Sequence, residues 1–459
     1  MRTQVLGVFC PFWSMEGPHL ILPHFQGLLH ALGVAGEILD LNVECAAKLA
    51  AEWPSLVENE DGLWSDPQRI AEIIERARLR DSLVIAVTSY EPVWVAFLSV
   101  NIASYWVVRL LMQMLRQSPQ GRLTKIAVGG PLCFGLANAR QAFPEADFVS
   151  ERTLESGLSI MGMMSGDDSC AVSPGSRTPL DFTGIEWGRF SRPERLPYVL
   201  NYGCRYSCRF CQEGMQYQRE VSRSTTGLGR ELREYVDSLQ SIRYIRFFDS
   251  SLNSDHEQFL SILDELTGTY LLWGCYLAPT PKINKKVAVR MAAAGCLGVN
   301  IGVESGSSNV RRLMHKPYQD IGGVENCIRA LHASGIDVFI NLIVGYPGET
   351  ERDFEDTLRF VDRMRPFLSD VAAGKAGIYA GTPLFGEISS LGIDLGEDRD
   401  HEYVFNHWRL KDGLNTPEIR AERLERLNNH LTASGLTNAR LPSARDPGLH
   451  APFSRGNGV

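Results

Sequence analysis

The sequence predicts an α/β protein made of an N-terminal doubly wound parallel sheet over residues 1–165, a partial (β/α)6 barrel over 191–390 and a small C-terminal region over 391–459. Three observations predict it. The chain has 459 residues, more than one domain usually holds. Strand-like apolar runs alternate with helical stretches through both parts, the pattern of parallel sheets covered by helices. Between the parts lies GDDSCAVSPGSRTPLDFTG, rich in Ser, Gly, Pro and Asp and without an apolar period, which reads as a linker over 166–190.

In the first part QVLGVF, SLVIAVTS and TKIAVGGP read as strands, and FQGLLHALG and VVRLLMQMLRQ as helices. The run VWVAFLSVNIASYWVV at 93–108 is shorter than the roughly 20 residues a membrane span needs and carries Ser99, Asn101 and Ser104, so it reads as a buried helix. No membrane partner is expected. Doubly wound, Rossmann-like sheets bind ligands beyond the carboxyl ends of their strands. Two loops are suited to close backbone approach: Ser89-Tyr90-Glu91-Pro92 and Gly129-Gly130-Pro131.

In the second part the strands are LPYVLNYG, YIRFFDSS, LLWGCYLAP, LGVNIGVES, VFINLIVGYPG and AAGKAGIYAG. Between them lie helical stretches such as GRELREYVDSLQ, DHEQFLSILDEL, KKVAVRMAAAG, GVENCIRALHASG and RDFEDTLRFVDRM. Barrel active sites lie at the carboxyl ends of the strands, and every motif taken up below falls at such an end. The C-terminal region has one helical stretch, PEIRAERLERLNNHL, and a loosely ordered tail; it covers the barrel mouth, with Tyr403, Phe405, His407 and Trp408 as candidates to shape a substrate pocket.

The net charge of −8 and the absence of a dense Lys/Arg stripe argue against a nucleic-acid partner. The N-terminus lacks the features of a signal peptide, so a cytoplasmic location is expected. Seven of the ten cysteines have no close cysteine neighbour and read as small buried apolar residues.

The remaining three form the one dense group, Cys204-Arg205-Tyr206-Ser207-Cys208-Arg209-Phe210-Cys211, in the loop after the first barrel strand. Iron–sulfur clusters take cysteine thiolates, normally four. The next candidates, His256 and Cys275, are more than forty residues away, so one iron keeps an open position, as at a catalytic site. A zinc knuckle would need a nearby fourth ligand. Arg205 and Arg209 are expected to favour the thiolate form.

This C-x-x-x-C-x-x-C pattern, with an aromatic residue before its last cysteine, resembles the signature of the radical SAM superfamily. The resemblance covers about 196–390. It implies a [4Fe–4S] cluster on Cys204, Cys208 and Cys211, whose open iron chelates S-adenosylmethionine and whose electron yields a 5′-deoxyadenosyl radical. It implies S-adenosylmethionine contacts from Phe210, from Asp249 and Ser250 at the second strand end, from Glu304 and Ser305 at the fourth, and from Asn341 and Ile343 on the fifth. An electron donor such as a flavodoxin or ferredoxin is the implied protein partner.

The chain resembles most the branch with an N-terminal cobalamin-binding domain, through FFDSSLN, AAGCLGVNIGVESGS, NLIVGYPGETERDFEDTL, AGTPLF, and DLN and Val128-Gly129-Gly130-Pro131 in the first domain. Cobalamin contacts are then implied for Ser89, Tyr90, Glu91, Gly129, Gly130 and Pro131. The D-x-H-x-x-G motif is absent, which implies no protein histidine below cobalt, and Glu151-Arg152-Thr153-Leu154-Glu155 stands where the branch usually has G-E-G-E. Methylthiotransferases carry instead an auxiliary cluster on three N-terminal cysteines; Cys10 and Cys45 are here, without a third at a suitable place. The resemblance thus implies methylation of an unactivated carbon of a small-molecule or peptide substrate through methylcobalamin. Cyclisation, rearrangement, epimerisation or oxidation, and a non-enzymatic iron–sulfur or corrinoid module, stay open. Cys275, Tyr276 and Cys296 are possible hydrogen donors.

Overall fold

The structure is a computed structural model that describes residues 3–11, 17–52, 67–101, 104–130, 132–133, 139–150, 180–213, 221–396 and 404–436. Its described residues form two compact units, one ending at Pro193 and one beginning at Glu194. No helix among the described residues is long and apolar enough to cross a membrane.

The first unit runs β1 (Val5–Phe9), α1 (Ile21–Ala31), β2 (Gly36–Asp40), α2 (Leu41–Glu52), α3 (Pro67–Arg76), α4 (Leu79–Thr88), β3 (Trp94–Leu98), α5 (Tyr105–Gln117), β4 (Lys125–Val128), α6 (Ala139–Ala142) and β5 (Phe148–Val149). The sheet is parallel, in the order β2-β1-β3-β4-β5. That is a doubly wound order whose ligand-binding crevice falls between β1 and β3. Phe25 and Leu29 of α1 pack with Val5, Phe9, Ala96 and Leu98 in the core.

Two sequence readings are corrected here. Residues 82–88 belong to α4, with Ser89 as its C-cap: Leu79, Leu83 and Val87 are buried at helical spacing, whereas Ile85 is 63% exposed. The run 93–108 is a strand followed by a helix. Every residue of β3 is buried, because a central parallel strand is covered on both faces and needs apolar side chains at consecutive positions. Reciprocal bonds between Asn101 and Ser104 then turn the chain into α5. Residues 180–190, expected as linker, pack on the first unit: Leu180 and Phe182 are buried, and Asp181 pairs with His30 at 2.5 Å.

The second unit runs β6 (Arg195–Tyr198), β7 (Asn201–Tyr202), β8 (Val221–Ser222), α7 (Leu228–Leu239), β9 (Tyr244–Phe247), α8 (His256–Leu266), β10 (Leu272–Leu277), α9 (Lys285–Ala293), β11 (Cys296–Glu304), α10 (Ser308–Leu313), α11 (Ile321–Ala333), β12 (Asp337–Val344), α12 (Glu351–Met364) and β13 (Asp370–Lys375). It continues through β14 (Ile378–Tyr379), α13 (Pro383–Gly386), β15 (Ile393–Asp394), β16 (Val404–Phe405), β17 (Arg409–Leu410) and α14 (Pro417–Ala433). Its six-stranded sheet has the order β13-β12-β11-β10-β9-β6, all parallel, as the six strand–helix units predict.

The two faces of this sheet differ. Phe247 meets Tyr198 and Trp273 edge-on, each at 5.8 Å, and the Tyr198 hydroxyl donates to Glu231 of α7 at 3.0 Å, so these side chains point toward the helices. Arg246, Tyr276, Asn300, Asn341 and Ile343 alternate with them on the other face and are only half-buried. That face lines the lumen of the partial barrel. Helices begin beyond the strand ends behind capping side chains: Asp255, Asn284, Ser307, Asp320 and Thr350 each accept from the first helical amides.

Candidate active site

Cys204, Cys208 and Cys211 sit in the loop after β7, all partly exposed. The loop is pinned from several sides. Arg209 N donates to Met314 O at 3.1 Å, and Leu384 N donates to Arg209 O at 2.9 Å. The Tyr206 ring meets Tyr318 edge-on at 6.1 Å, and Phe210 meets Tyr346 at 6.4 Å. Lys316 lies over the Phe210 ring at 5.9 Å and pairs with Glu304 at 3.2 Å.

The donor set fits an iron–sulfur cube. Burial pushes the Cys211 thiol up to about 12, and the nearby Cys208 and Cys204 add to that shift, so the three thiols share one locality. A cube spreads its thiolates over different irons, whereas a lone zinc needs its ligands around one point. The expectation that Arg205 and Arg209 favour thiolates is corrected: Arg205 pairs with Asp255 at 3.2 Å and Arg209 with Glu387 at 3.4 Å. Burial raises Cys208, and the cations Lys316 and, less strongly, Arg311 pull it back.

The other sequence candidates divide in two. Glu304 lies under the cluster loop, at φ 66, just past an irregularity in the β11–β12 pairing that re-aims it. Asn341 and Ile343 face the lumen, half-buried. Asp249, by contrast, is buried and accepts from Leu200 N at 3.1 Å and Asn201 N at 2.6 Å, tying the end of β9 to the start of the cluster segment. Ser250 donates to Glu213 at 2.8 Å. Ser305 is fully buried and bonds Thr357 at 3.1 Å, a packing contact with α12.

The loop after β12 is clamped by residues that sequence reading missed. Asn415 Nδ2 donates to Gly345 O at 3.0 Å and Tyr346 O at 3.3 Å. Arg420, with 0% exposure, donates to Asn415, Asn406 and Trp408 and stacks on the Trp408 ring at 3.9 Å. Its methylene stem fills the space where Gly345, at φ 73, would carry a side chain. Arg423 pairs with the buried Glu349 at 2.9 Å. The C-terminal segment 404–436 thus belongs to the second unit and holds the loop that supports Phe210. Trp408 is a structural member of this clamp, and Phe405 stacks on Phe385 at 5.6 Å. Tyr403 lies outside the described residues.

In the first unit, Ser89, Tyr90 and Glu91 follow α4 and lead into β3, so they stand at the amino edge of the sheet, opposite the ligand edge. The misreading of α4 as a strand put them at the wrong end. Gly129 and Gly130 do lie at the carboxyl end of β4, but a side chain on Gly130 would strike the backbone of Ser99 and Val100, so loop-to-loop packing accounts for that glycine. Pro131 and residues 151–155 lie outside the described residues. Cys10 and Cys45 are buried near one another at the ligand edge, and Cys133 is buried without a shift from either.

A family model of the radical SAM superfamily matches residues 198–361. This segment is a radical SAM domain. Among curated proteins, the chain is 29% identical over 188 residues to a tRNA-2-methylthio-N(6)-dimethylallyladenosine synthase of Moorella thermoacetica, covering 39% of this chain and 42% of that protein. The chain therefore spans about two fifths of that relative's length. Among solved structures, it resembles the radical S-adenosylmethionine methyltransferase TsrM from Kitasatospora setae, with tryptophan substrate and a SAM analogue bound, at TM-score 0.67 and 17% identity over 95% of this chain and 89% of that one. It also resembles the cobalamin-dependent radical enzyme OxsB with aqua-cobalamin bound, at TM-score 0.58 and 15% identity, over 80% of this chain and 53% of that one. These likenesses establish the fold, a doubly wound domain followed by a partial parallel barrel.

Proposed function

We propose that this chain is a cobalamin-dependent radical SAM enzyme that methylates an unactivated carbon of a small-molecule or peptide substrate. The observation that carries the reading is the cluster loop: three thiols in one locality, beyond the carboxyl end of the first barrel strand, with a lumen open beneath them. Cys204, Cys208 and Cys211 would hold a [4Fe–4S] cluster. When bound, the cluster and S-adenosylmethionine would supply a 5′-deoxyadenosyl radical, and cobalamin would carry the methyl group.

The chain's own residues position and enclose. Phe210, backed by Tyr346 and Lys316, walls the cluster loop. Asn341 and Ile343 offer a polar and an apolar contact on one lumen strand. Glu304 offers a carboxylate to a hydroxyl or ammonium group, its charge balanced by Lys316. Asp249 acts through the backbone it fixes, as a positioning residue. For cobalamin, the crevice between β1 and β3 is the favoured place, with Gly129 at its rim and Ser99 and Asn101 beside it. His19 of that edge accepts from Ile21 N at 3.2 Å and stacks on Phe9 at 4.5 Å, which favours packing over ligation. Cys275 faces the helices and Cys296 is buried, leaving Tyr276 as the hydrogen-donor candidate on the lumen side.

The relatives' name raises methylthiolation of tRNA as a second reading. The auxiliary cluster of that chemistry needs three cysteines, and the structure draws together only Cys10 and Cys45 among the described residues of the first unit. The test is anaerobic reconstitution with iron and sulfide, corrinoid analysis and assay with reductant, with a flavodoxin or ferredoxin as the physiological donor class. Bound corrinoid, 5′-deoxyadenosine and a product heavier by one CH2 support the proposal. A protein that never takes up corrinoid contradicts its methyl-transfer half.

A further inference from the structure

An ion pair is buried beneath the cluster loop, and the preceding reading uses only its acidic half. Lys316 Nζ lies 3.2 Å from Glu304 Oε1, with the two side chains 13% and 10% exposed. The local chain is built to place them. Gly302 leaves the space they occupy: a side chain there would strike Glu304 Oε1 and stand 3.3 Å from Lys316 Nζ. The irregularity in the β11–β12 pairing between Gly302 and Glu304 re-aims the carboxylate. After α10 the chain turns at His315, φ 53, and Lys316 N donates to Arg311 O at 3.0 Å, which fixes the lysine backbone against that helix.

The ammonium stands beside the cysteines. It lies over the Phe210 ring at 5.9 Å, and Phe210 falls between Cys208 and Cys211 in the chain. The turn that carries it is fastened to the cluster loop by the bond from Arg209 N to Met314 O at 3.1 Å. Lys316 and Cys208 are therefore held in one frame. Arg311, with 0% exposure, is a second cation there; it donates to Val303 O and Tyr318 O and is fixed in the wall. Of the charges acting on the Cys208 thiol, Lys316 acts most strongly, ahead of the opposing Glu304 and of Arg311. A buried ion pair adds little net stability, because desolvation offsets the attraction. Its field on a neighbour, in contrast, is strong where little water screens it.

We propose that Lys316 tunes the reduction of the cluster: its ammonium, held by Glu304 beside Cys208, raises the midpoint potential of a cluster on Cys204, Cys208 and Cys211. Reduction takes one electron from a donor of the flavodoxin or ferredoxin class and adds one negative charge, and a fixed cation favours the more negative form. Lys316 is a positioning residue of charge, acting through space and ligating nothing. Glu304 both holds it and opposes it, so the two residues set the potential from opposite sides. The proposal rests on the three thiols holding the cluster, as proposed above.

The test is a reductive titration of the cluster-reconstituted protein with dithionite and redox mediators, followed by electron paramagnetic resonance, without S-adenosylmethionine, corrinoid or substrate. Lys316→Gln should lower the midpoint by about 59 mV, a ten-fold shift in a one-electron equilibrium. Glu304→Gln should raise it, and the double variant should return toward the unaltered protein's value. Lys316→Arg keeps the charge and should restore most of the loss. A merely structural role would not reverse sign between the two single variants. An unchanged midpoint in Lys316→Gln, or shifts of the same sign in both single variants, overturns the proposal. If Lys316→Gln does not fold, the direction of the shift in Glu304→Gln decides it alone. A protein that forms no cluster overturns this proposal together with the cluster assignment. One that forms its cluster but never takes up corrinoid loses the methyl-transfer reading, and the midpoints still decide this one.

Discussion

The two sheets of this chain are both parallel and both covered by helices, yet they handle water differently. In the first unit β1 and β3 are buried at every position, because helices close both faces. In the second unit the strands alternate between fully buried residues facing the helices and half-buried residues facing a lumen. A sheet dry on both sides can bind only at its edge. A sheet with one wet face can build a chamber below its edge, and the polar groups Arg246, Tyr276, Asn300 and Asn341 lie on that face. The comparison explains why the second unit carries a legible site and the first carries mainly an edge.

The largest effect that sharpens this contrast lies in the cluster loop. Alanine at Cys204, Cys208 or Cys211 should abolish cluster absorbance and 5′-deoxyadenosine formation, while the same change at the buried Cys275 should leave both. If a Cys208→Ala protein retains a full cluster, the ligand assignment is wrong. Next comes the clamp on the loop after β12. Arg420→Ala strands three acceptors and opens space beneath Gly345, and should destabilise the second unit by about 3–5 kcal/mol. Urea unfolding followed by fluorescence checks it, and a loss below about 1 kcal/mol would show that the clamp is dispensable.

A smaller effect belongs to the first unit. Burial holds His19 down at about 4, below its ordinary 6.5. Its folded state therefore prefers the neutral ring, so its contribution is complete above pH 6.5 and is lost as pH falls toward 4. The melting transition of the first unit should drop between pH 7 and pH 5, and His19→Phe should flatten that part of the drop; an unchanged slope in the variant contradicts the assignment. Smallest is Arg205→Gln. The Arg205–Asp255 pair is solvent-exposed on both sides, so its loss should cost less than about 1 kcal/mol and leave cluster content intact.

Much of the barrel was legible because its strands end in motifs and its helices start behind caps such as Asp255, Asp320 and Thr350. The candidate cluster cysteines stand out in the sequence because their spacing is local. The first unit was harder: SLVIAVTS has the composition of a strand, and only its burial at Leu79, Leu83 and Val87 shows the helical period. That error carried Ser89, Tyr90 and Glu91 to the wrong edge. Lys316 and Arg420 had no sequence signal, since each draws its role from partners distant along the chain. Ser305 was marked for its place at a strand end, and its hydroxyl turned out to serve α12.

The central claim is that the three thiols hold a cluster with one iron open to S-adenosylmethionine. Electron paramagnetic resonance of the anaerobically reconstituted, reduced protein tests it most directly. The account predicts a [4Fe–4S]+ signal that changes when S-adenosylmethionine is added. A protein that yields no such signal, or one whose signal ignores S-adenosylmethionine, contradicts it.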